Sequence, residues 1–315
     1  MAPVTGVGTA LWTMAAIVAV GWVLGRFRLL GDDAARVLAR VTFTVAIPAL
    51  LVVTVAHADL HLLLSRVAAV TAAATGVVAA VAALVLRVAW RRDVGEATVG
   101  TLAASYLNAA HLGIPVAVYV VGDAVAAVPT LLFQQLVLAP IAFALLDRAP
   151  GVAGAGALVP AARPSVVGRT LRNPIIVASL TGLALAVVPW ELPEVVFEPF
   201  RVLGAAAAPM ALVAFGMSLA VARPAGERWL TRDLTLVVVL RAVVHPALAA
   251  GLGLALGLEG PALLAAVTMA SLPTAQNVLV FALQYGRGTA LARDAGLATT
   301  LLSAPVLVLV AALLG

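Results

Sequence analysis

Apolar runs of roughly 16 to 25 residues follow one another along almost the whole chain, separated by short stretches rich in arginine, acidic residues, glycine and proline. The runs Val7–Leu24, Val37–Ala56, Val67–Ala89, Thr98–Val121 and Val125–Leu146 predict five membrane-crossing helices. Asn173–Val188, Val202–Ala222, Leu234–Gly257, Pro261–Leu283 and Ala290–Leu314 predict five more. The longest polar break, Asp147 to Arg172, carries Gly151, Gly154, Gly156, Pro160 and Pro164 and reads as a cytoplasmic linker. The expected organisation is a first five-helix repeat over 1–146, a linker over 147–172 and a second repeat over 173–315.

Punctuation inside the runs recurs in order. Pro48 in span 2 answers Pro209 in span 7, Pro115 in span 4 answers Pro273 in span 9, and Pro140 in span 5 answers Pro305 in span 10. The spacings are 161, 158 and 165 residues, which fits one duplicated unit with small differences in loop length. An odd number of spans per unit turns the second copy over in the membrane. Arginine placement agrees with that inversion: with the N-terminus outside, seventeen of the nineteen arginines, Arg241 among them, fall on or near the cytoplasmic side. Only Arg66 and Arg201 fall outside. Both termini are thus expected outside a multi-pass protein of the cell's inner (plasma) membrane.

Composition closes off the alternatives to a bilayer. With 63% apolar residues, 10% charged residues and a mean hydropathy of +1.13, the chain has too little charge to cover a water-facing surface. The net charge of +5 is spread between apolar runs with no continuous basic stripe, so no nucleic-acid partner is expected. The absence of cysteine excludes disulfides and thiolate chemistry. No metal-binding or hydrolase motif and no Asp or Glu in the middle of any span appears, so no cofactor, metal or catalytic residue is expected.

Candidate chemistry concentrates in spans 4 and 9. Span 4 carries Asn108-Ala-Ala-His111-Leu-Gly113-Ile-Pro115, in which Gly113 is predicted to end one half-helix in a left-handed conformation and Pro115 to start the next. Span 9 carries Ser271-Leu-Pro273-Thr274-Ala-Gln276-Asn277, a second predicted break. Backbone freed at mid-membrane is tolerated only against protein or a wet cavity, so Asn108, His111, Gly113, Pro115, Pro273, Thr274, Gln276 and Asn277 are expected to line a substrate site. Two half-helix N-termini starting at the prolines would favour an anion there. The carbonyl ends of the same half-helices can hold cations, so a cationic or neutral solute stays open, as does an intramembrane enzyme acting on a lipid-linked substrate. His111 and His245 are candidates for taking up a proton or for bonding a neighbouring helix, the two readings standing level for His111 and the second preferred for His245. Pro48 and Pro209 lack polar neighbours and read as structural kinks.

Together, Asn108 to Pro115 followed by Gly122, the Asn173-Pro174 start of the second half, Ala208-Pro209-Met-Ala-Leu with Gly216-x-Ser218-Leu, and Leu272-Pro273-Thr-Ala-x-Asn277 followed by Tyr285-Gly286 resemble the auxin efflux carrier family, of the bile, arsenite and riboflavin transporter superfamily. The resemblance covers essentially the whole chain. It implies an all-α protein of ten transmembrane helices in two inverted repeats, with spans 1, 2, 6 and 7 as a scaffold and spans 3 to 5 and 8 to 10 as a moving transport domain. It also implies that broken spans 4 and 9 cross at Pro115 and Pro273, that the cargo is a small organic anion such as a carboxylate, and that the scaffold forms a homodimer. Coupling to protons or sodium stays open. The linker here is short, and a long regulatory loop is not expected.

Overall fold

The computed structural model describes residues 2–31, 33–57, 65–149, 173–187, 193–221 and 229–315, with the side chains of 2–11, His111, Pro115, Tyr119 and Ala124 outside that set. Most of the expected linker also lies outside the described residues. Among the described residues every regular element is helical: α1 (Ala2–Arg26), α2 (Ala34–Ala56), α3 (Arg66–Ala89), α4 (Val94–Ser105), α5 (109–121), α6 (Val125–Leu146), α7 (Pro174–Val187), α8 (Glu194–Ala220), α9 (Arg232–Ala255), α10 (Gly260–Ala270), α11 (Asn277–Tyr285) and α12 (Thr289–Leu314). Six of them, α2, α3, α6, α8, α9 and α12, are single helices long and apolar enough to cross a bilayer. Large apolar side chains such as Trp12, Val88 and Leu313 point outward, as expected where the surrounding solvent is hydrocarbon.

Prolines inside these helices are accommodated by a repeated device. A proline lacks the N–H that closes an i→i−4 bond, and its ring collides with the carbonyl four residues back. Pro48, Pro115, Pro140 and Pro246 each stand at the start of an α-helical stretch just after a five-residue π turn: 42–46, 109–113, 134–138 and 240–244. The wider turn moves the offending carbonyl aside, so the rod bends without breaking. Pro209 instead follows an interruption at Ala206, between Glu194–Ala205 and Ala207–Ala220. Pro305 lies inside α12, which carries side-chain bonds to its own backbone before the proline: Thr299 Oγ1 donates to Ala295 O, Thr300 Oγ1 to Gly296 O and Ser303 Oγ to Thr300 O.

Lipid gives apolar helices little reason to associate by hydrophobicity, so close backbone approach has to do that work. Glycine supplies it. A Cβ on Gly216 of α8 would sit 2.1 Å from the Val18 carbonyl oxygen of α1, and one on Gly21 would sit 2.3 Å from the Val213 carbonyl oxygen. The α2–α7 contact is built likewise: a Cβ on Gly182 would lie 2.8 Å from Val55 Cβ. Between these pairs and the remaining helices lies an aromatic cluster in which Phe43 meets Phe143 edge-on at 5.4 Å and Phe143 meets Phe281 at 4.8 Å.

One charge of the arginine pattern is buried among the helices. Arg241, assigned above to the cytoplasmic side, sits nine residues into α9 and is 1% exposed. It interrupts an apolar run too long for its position to be read from flanking residues alone.

Candidate functional site

Helix α4 stops at Ser105 because Tyr106 turns extended, with φ −87° and ψ 106°. The chain resumes as helix only after Asn108. The second break runs from Ser271 to Gln276, between α10 and α11. These two non-helical stretches meet and pair as a minimal antiparallel bridge, with Leu107 opposite Thr274. Asn108 N donates to Pro273 O at 2.9 Å, and Ala275 N donates to Tyr106 O at 3.0 Å. Each break thereby satisfies part of the backbone that the other leaves open.

The groups of the two central residues that point away from the bridge are met by side chains. Gln134 of α6 lays its amide along Leu107, accepting from Leu107 N and donating from Nε2 to Leu107 O at 3.1 Å. On the opposite side Thr299 Oγ1 of α12 accepts from Thr274 N at 3.0 Å, and Thr274 Oγ1 donates to Ala103 O at 2.6 Å, closing the end of α4. Thr274 is 0% exposed, so its polar groups serve the crossing itself.

The position of the first break differs from the sequence expectation. Gly113 is right-handed helical, with φ −61° and ψ −45°, and Pro115 lies within α5, seven or more residues beyond the bend. The crossing therefore occurs at Tyr106–Asn108 against Pro273–Ala275: Pro273 takes part and Pro115 does not. The π turn at 109–113, in which Leu112 N and Gly113 N both donate to Asn108 O, absorbs the proline. Gly113 serves close packing instead, since a Cβ there would lie 3.0 Å from Leu272 Cδ1 of the other break. The second half-helices start at Ala109 and Asn277 rather than at prolines. The side chain of His111 lies outside the described residues.

Two cavities flank the crossing, and adjacent amides divide between them. Asn277, with Asn108, Gln134 and Gln135, borders a space of about 30 Å³ that Leu50, Leu51 and Ile175 also line. That is room for roughly two waters. Gln276, with Thr300, borders a space of about 370 Å³ walled by Met14, Trp22 and Phe215. The buried oxygens Gln135 Oε1, Gln276 Oε1 and Asn277 Oδ1 have no hydrogen-bond partner among the described residues. Such groups inside a membrane bundle are expensive unless something polar meets them. Gln134 and Gln135 were not singled out from the sequence, although two adjacent amides in the apolar run 125–146 are the signal that would have found them. Among the described residues no group of three or more His, Asp or Glu side chains is placed to hold a metal.

The profile of the family described as "Membrane transport protein" matches residues 7–149 and 159–311. A protein of Rhizobium meliloti (strain 1021) named "Putative malonate transporter" is 34% identical over 220 residues, which span 68% of this chain and 66% of that protein. An "Uncharacterized transporter" of Methanothermobacter thermautotrophicus is 28% identical over 288 residues, 85% of each chain. "Auxin efflux carrier component 6" of Arabidopsis thaliana is 30% identical over 156 residues, 48% of this chain and 27% of that protein. With paired helix breaks inside an apolar bundle and a family match over both halves, the chain is a membrane transporter and belongs to the membrane transport protein family, that of the auxin efflux carriers.

Proposed function

We propose that this transporter carries a small organic anion, a carboxylate, by alternating access around the paired breaks, driven by a solute gradient or the membrane potential. The observation that carries the reading is the division of Gln276 and Asn277, at the start of α11, between a large and a small cavity at one crossing. A site that must be reached alternately from two sides needs such a hinge of polar groups between two spaces. The N-termini of α5 and α11 each present about half a positive charge, which favours an anion near Asn108 and Gln276. The name of the Rhizobium relative, a malonate transporter, points to a dicarboxylate.

The same reading takes the chain as ten spans in two inverted halves. Gly21 and Gly182, 161 residues apart, make reciprocal close contacts, the first between spans 1 and 7 and the second between spans 6 and 2. Gly122 and Gly286, 164 apart, end α5 and α11 in the left-handed conformation. Gln134 and Thr299, 165 apart, bond the central residues of the two breaks. The glycine-packed pairs α1–α8 and α2–α7 would form the scaffold and the remaining helices the moving domain. A homodimer through that scaffold, termini outside, and proton or sodium coupling belong to this reading as further proposals.

The experiment is uptake of labelled malonate, and of mono- and tricarboxylates beside it, into proteoliposomes under imposed potential, pH and sodium gradients. Saturable flux of a carboxylate that falls at least about tenfold in the Asn277→Ala, Gln276→Ala double variant supports the site. Flux of cations or neutral solutes alone would replace the anion reading, and unchanged flux in the double variant would move the site elsewhere.

A further inference from the structure

Arg241 is a buried arginine without a buried acid. It is 1% exposed inside α9, and among the described residues it forms no ion pair within 4.0 Å. The stretch around it packs against α3, α4 and α12. Helix α3 carries no acid. Asp294 of α12 is held by Arg293 at 3.0 Å, Asp233 on α9 itself is held by Arg92 at 2.8 Å, and Glu96 sits in the first turn of α4.

One end of the guanidinium is fixed. Its Nη1 lies 2.9 Å from His245 Nδ1, and His245 Nε2 lies 3.2 Å from Thr75 Oγ1 of α3. Arginine can only donate, so Nδ1 accepts; the imidazole is then neutral, with its hydrogen on Nε2 donating to the threonine. This relay holds the guanidinium plane in one orientation between α9 and α3. The two nitrogens left over, Nε and Nη2, are buried and have no hydrogen-bond partner among the described residues. They are not an arbitrary pair: Nε–H and Nη2–H point the same way along one edge of the plane, at the spacing of the two oxygens of a carboxylate.

We propose that the unpaired, buried Nε/Nη2 edge of Arg241 is a binding site for a planar oxyanion, a carboxylate, held by two parallel hydrogen bonds. A buried guanidinium left with two empty donors is strongly unfavourable in a bundle surrounded by lipid, and a carboxylate on that edge supplies both the charge and the geometry it lacks. His245 and Thr75 are positioning residues, which hold the plane and touch no ligand. The site rests on the anion reading above for its place in transport, and adds to it a cation that the crossing itself does not contain. The carboxylate has two sources, the transported solute or a resident small carboxylate such as acetate or formate.

The test is binding by the full chain, purified in detergent, with malonate, acetate and chloride as probes in thermal unfolding. Wild type is expected to be stabilised by a carboxylate and not by equal chloride. Arg241→Lys, which keeps the charge but loses the edge, is expected to need about tenfold more carboxylate for the same shift. Stabilisation by malonate with matching loss of malonate flux in Arg241→Lys assigns the site to the solute. Stabilisation by acetate, with malonate flux kept, assigns it to a resident anion. Equal carboxylate response in wild type and Arg241→Lys overturns the site while leaving the carrier reading intact, and a response to cations alone overturns both. Should the variant fail to fold, wild-type protein in lipid with 15N-arginine and 13C-carboxylate malonate or acetate gives the answer directly. Magnetisation transfer to a guanidinium protected from hydrogen exchange is expected, and its absence for both ligands overturns the proposal.

Discussion

The amide of Gln134 and the backbone of Leu107 form a closed pair, Nε2 donating to the Leu107 carbonyl and Oε1 accepting from the Leu107 N–H, so a side chain plays the part of a neighbouring strand. Glutamine suits this because its amide offers one donor and one acceptor at the peptide spacing. Replacing Gln134 with leucine leaves both backbone groups of a 1% exposed residue without partners. Each such group costs about 1–3 kcal/mol, so Gln134→Leu should lower the unfolding midpoint markedly. Thr299→Val, which removes the single bond to Thr274 N, should lower it by less. Comparable melting of both variants and wild type would mean that water replaces these bonds at the crossing.

Glycine packing between α1 and α8 gives a steric prediction. A leucine at Gly216 would place its Cβ 2.1 Å from the Val18 carbonyl oxygen, and the backbones would have to separate. Gly251 of the lipid-facing side of α9 has nothing within 4 Å of its would-be Cβ and serves as the control. Gly216→Leu should cut the yield of folded protein and the unfolding temperature, while Gly251→Leu should leave both nearly unchanged or slightly raised, since leucine is the better helix former. Size-exclusion profiles after a temperature ramp read the difference.

The all-helical, apolar character of the chain and the polar character of spans 4 and 9 were legible in the sequence because a bilayer demands long apolar runs and forbids stray polar backbone. The bend in span 4 was not. Gly113 and Pro115 are strong local signals, yet a π turn takes up the proline and the glycine serves a contact with Leu272. The break falls at Tyr106–Asn108 because that is where the chain meets Pro273–Ala275, a relationship between residues 167 apart that local propensity does not encode. In span 9 the proline lies inside the tertiary pairing itself, so the local and the global signals coincide there. The burial of Arg241 was not legible for a related reason: positive charge in the sequence reports topology, whereas burial depends on what packs around it.

Function and stability should separate at Asn277. Its Oδ1 is buried and has no partner among the described residues, so truncation removes an unsatisfied group rather than a hydrogen bond. Asn277→Ala is therefore expected to melt at or above the wild-type temperature while losing carboxylate flux by about tenfold or more. A variant that loses stability and flux together would place Asn277 among the structural residues of the crossing.

Gln135 and Thr300 stand 165 residues apart, the spacing of Gln134 and Thr299, yet Gln135 borders the space of about 30 Å³ and Thr300 the space of about 370 Å³. If the two cavities exchange sizes as the protein alternates, the two positions should exchange accessibility. The chain contains no cysteine, so Gln135→Cys and Thr300→Cys each introduce one reporter without background. In the state described here a small, water-soluble thiol reagent should modify Cys at position 300 rapidly and Cys at 135 slowly, because a space for two waters excludes the reagent. A ligand that favours the opposite state should reverse that order, since a ligand shifts an equilibrium only through its preference for one conformation. The decisive measurement is the ratio of the two labelling rates with and without malonate in proteoliposomes. A ratio that moves in opposite directions at the two sites supports alternating access, whereas parallel changes at both would indicate a single cavity that opens and closes as a unit.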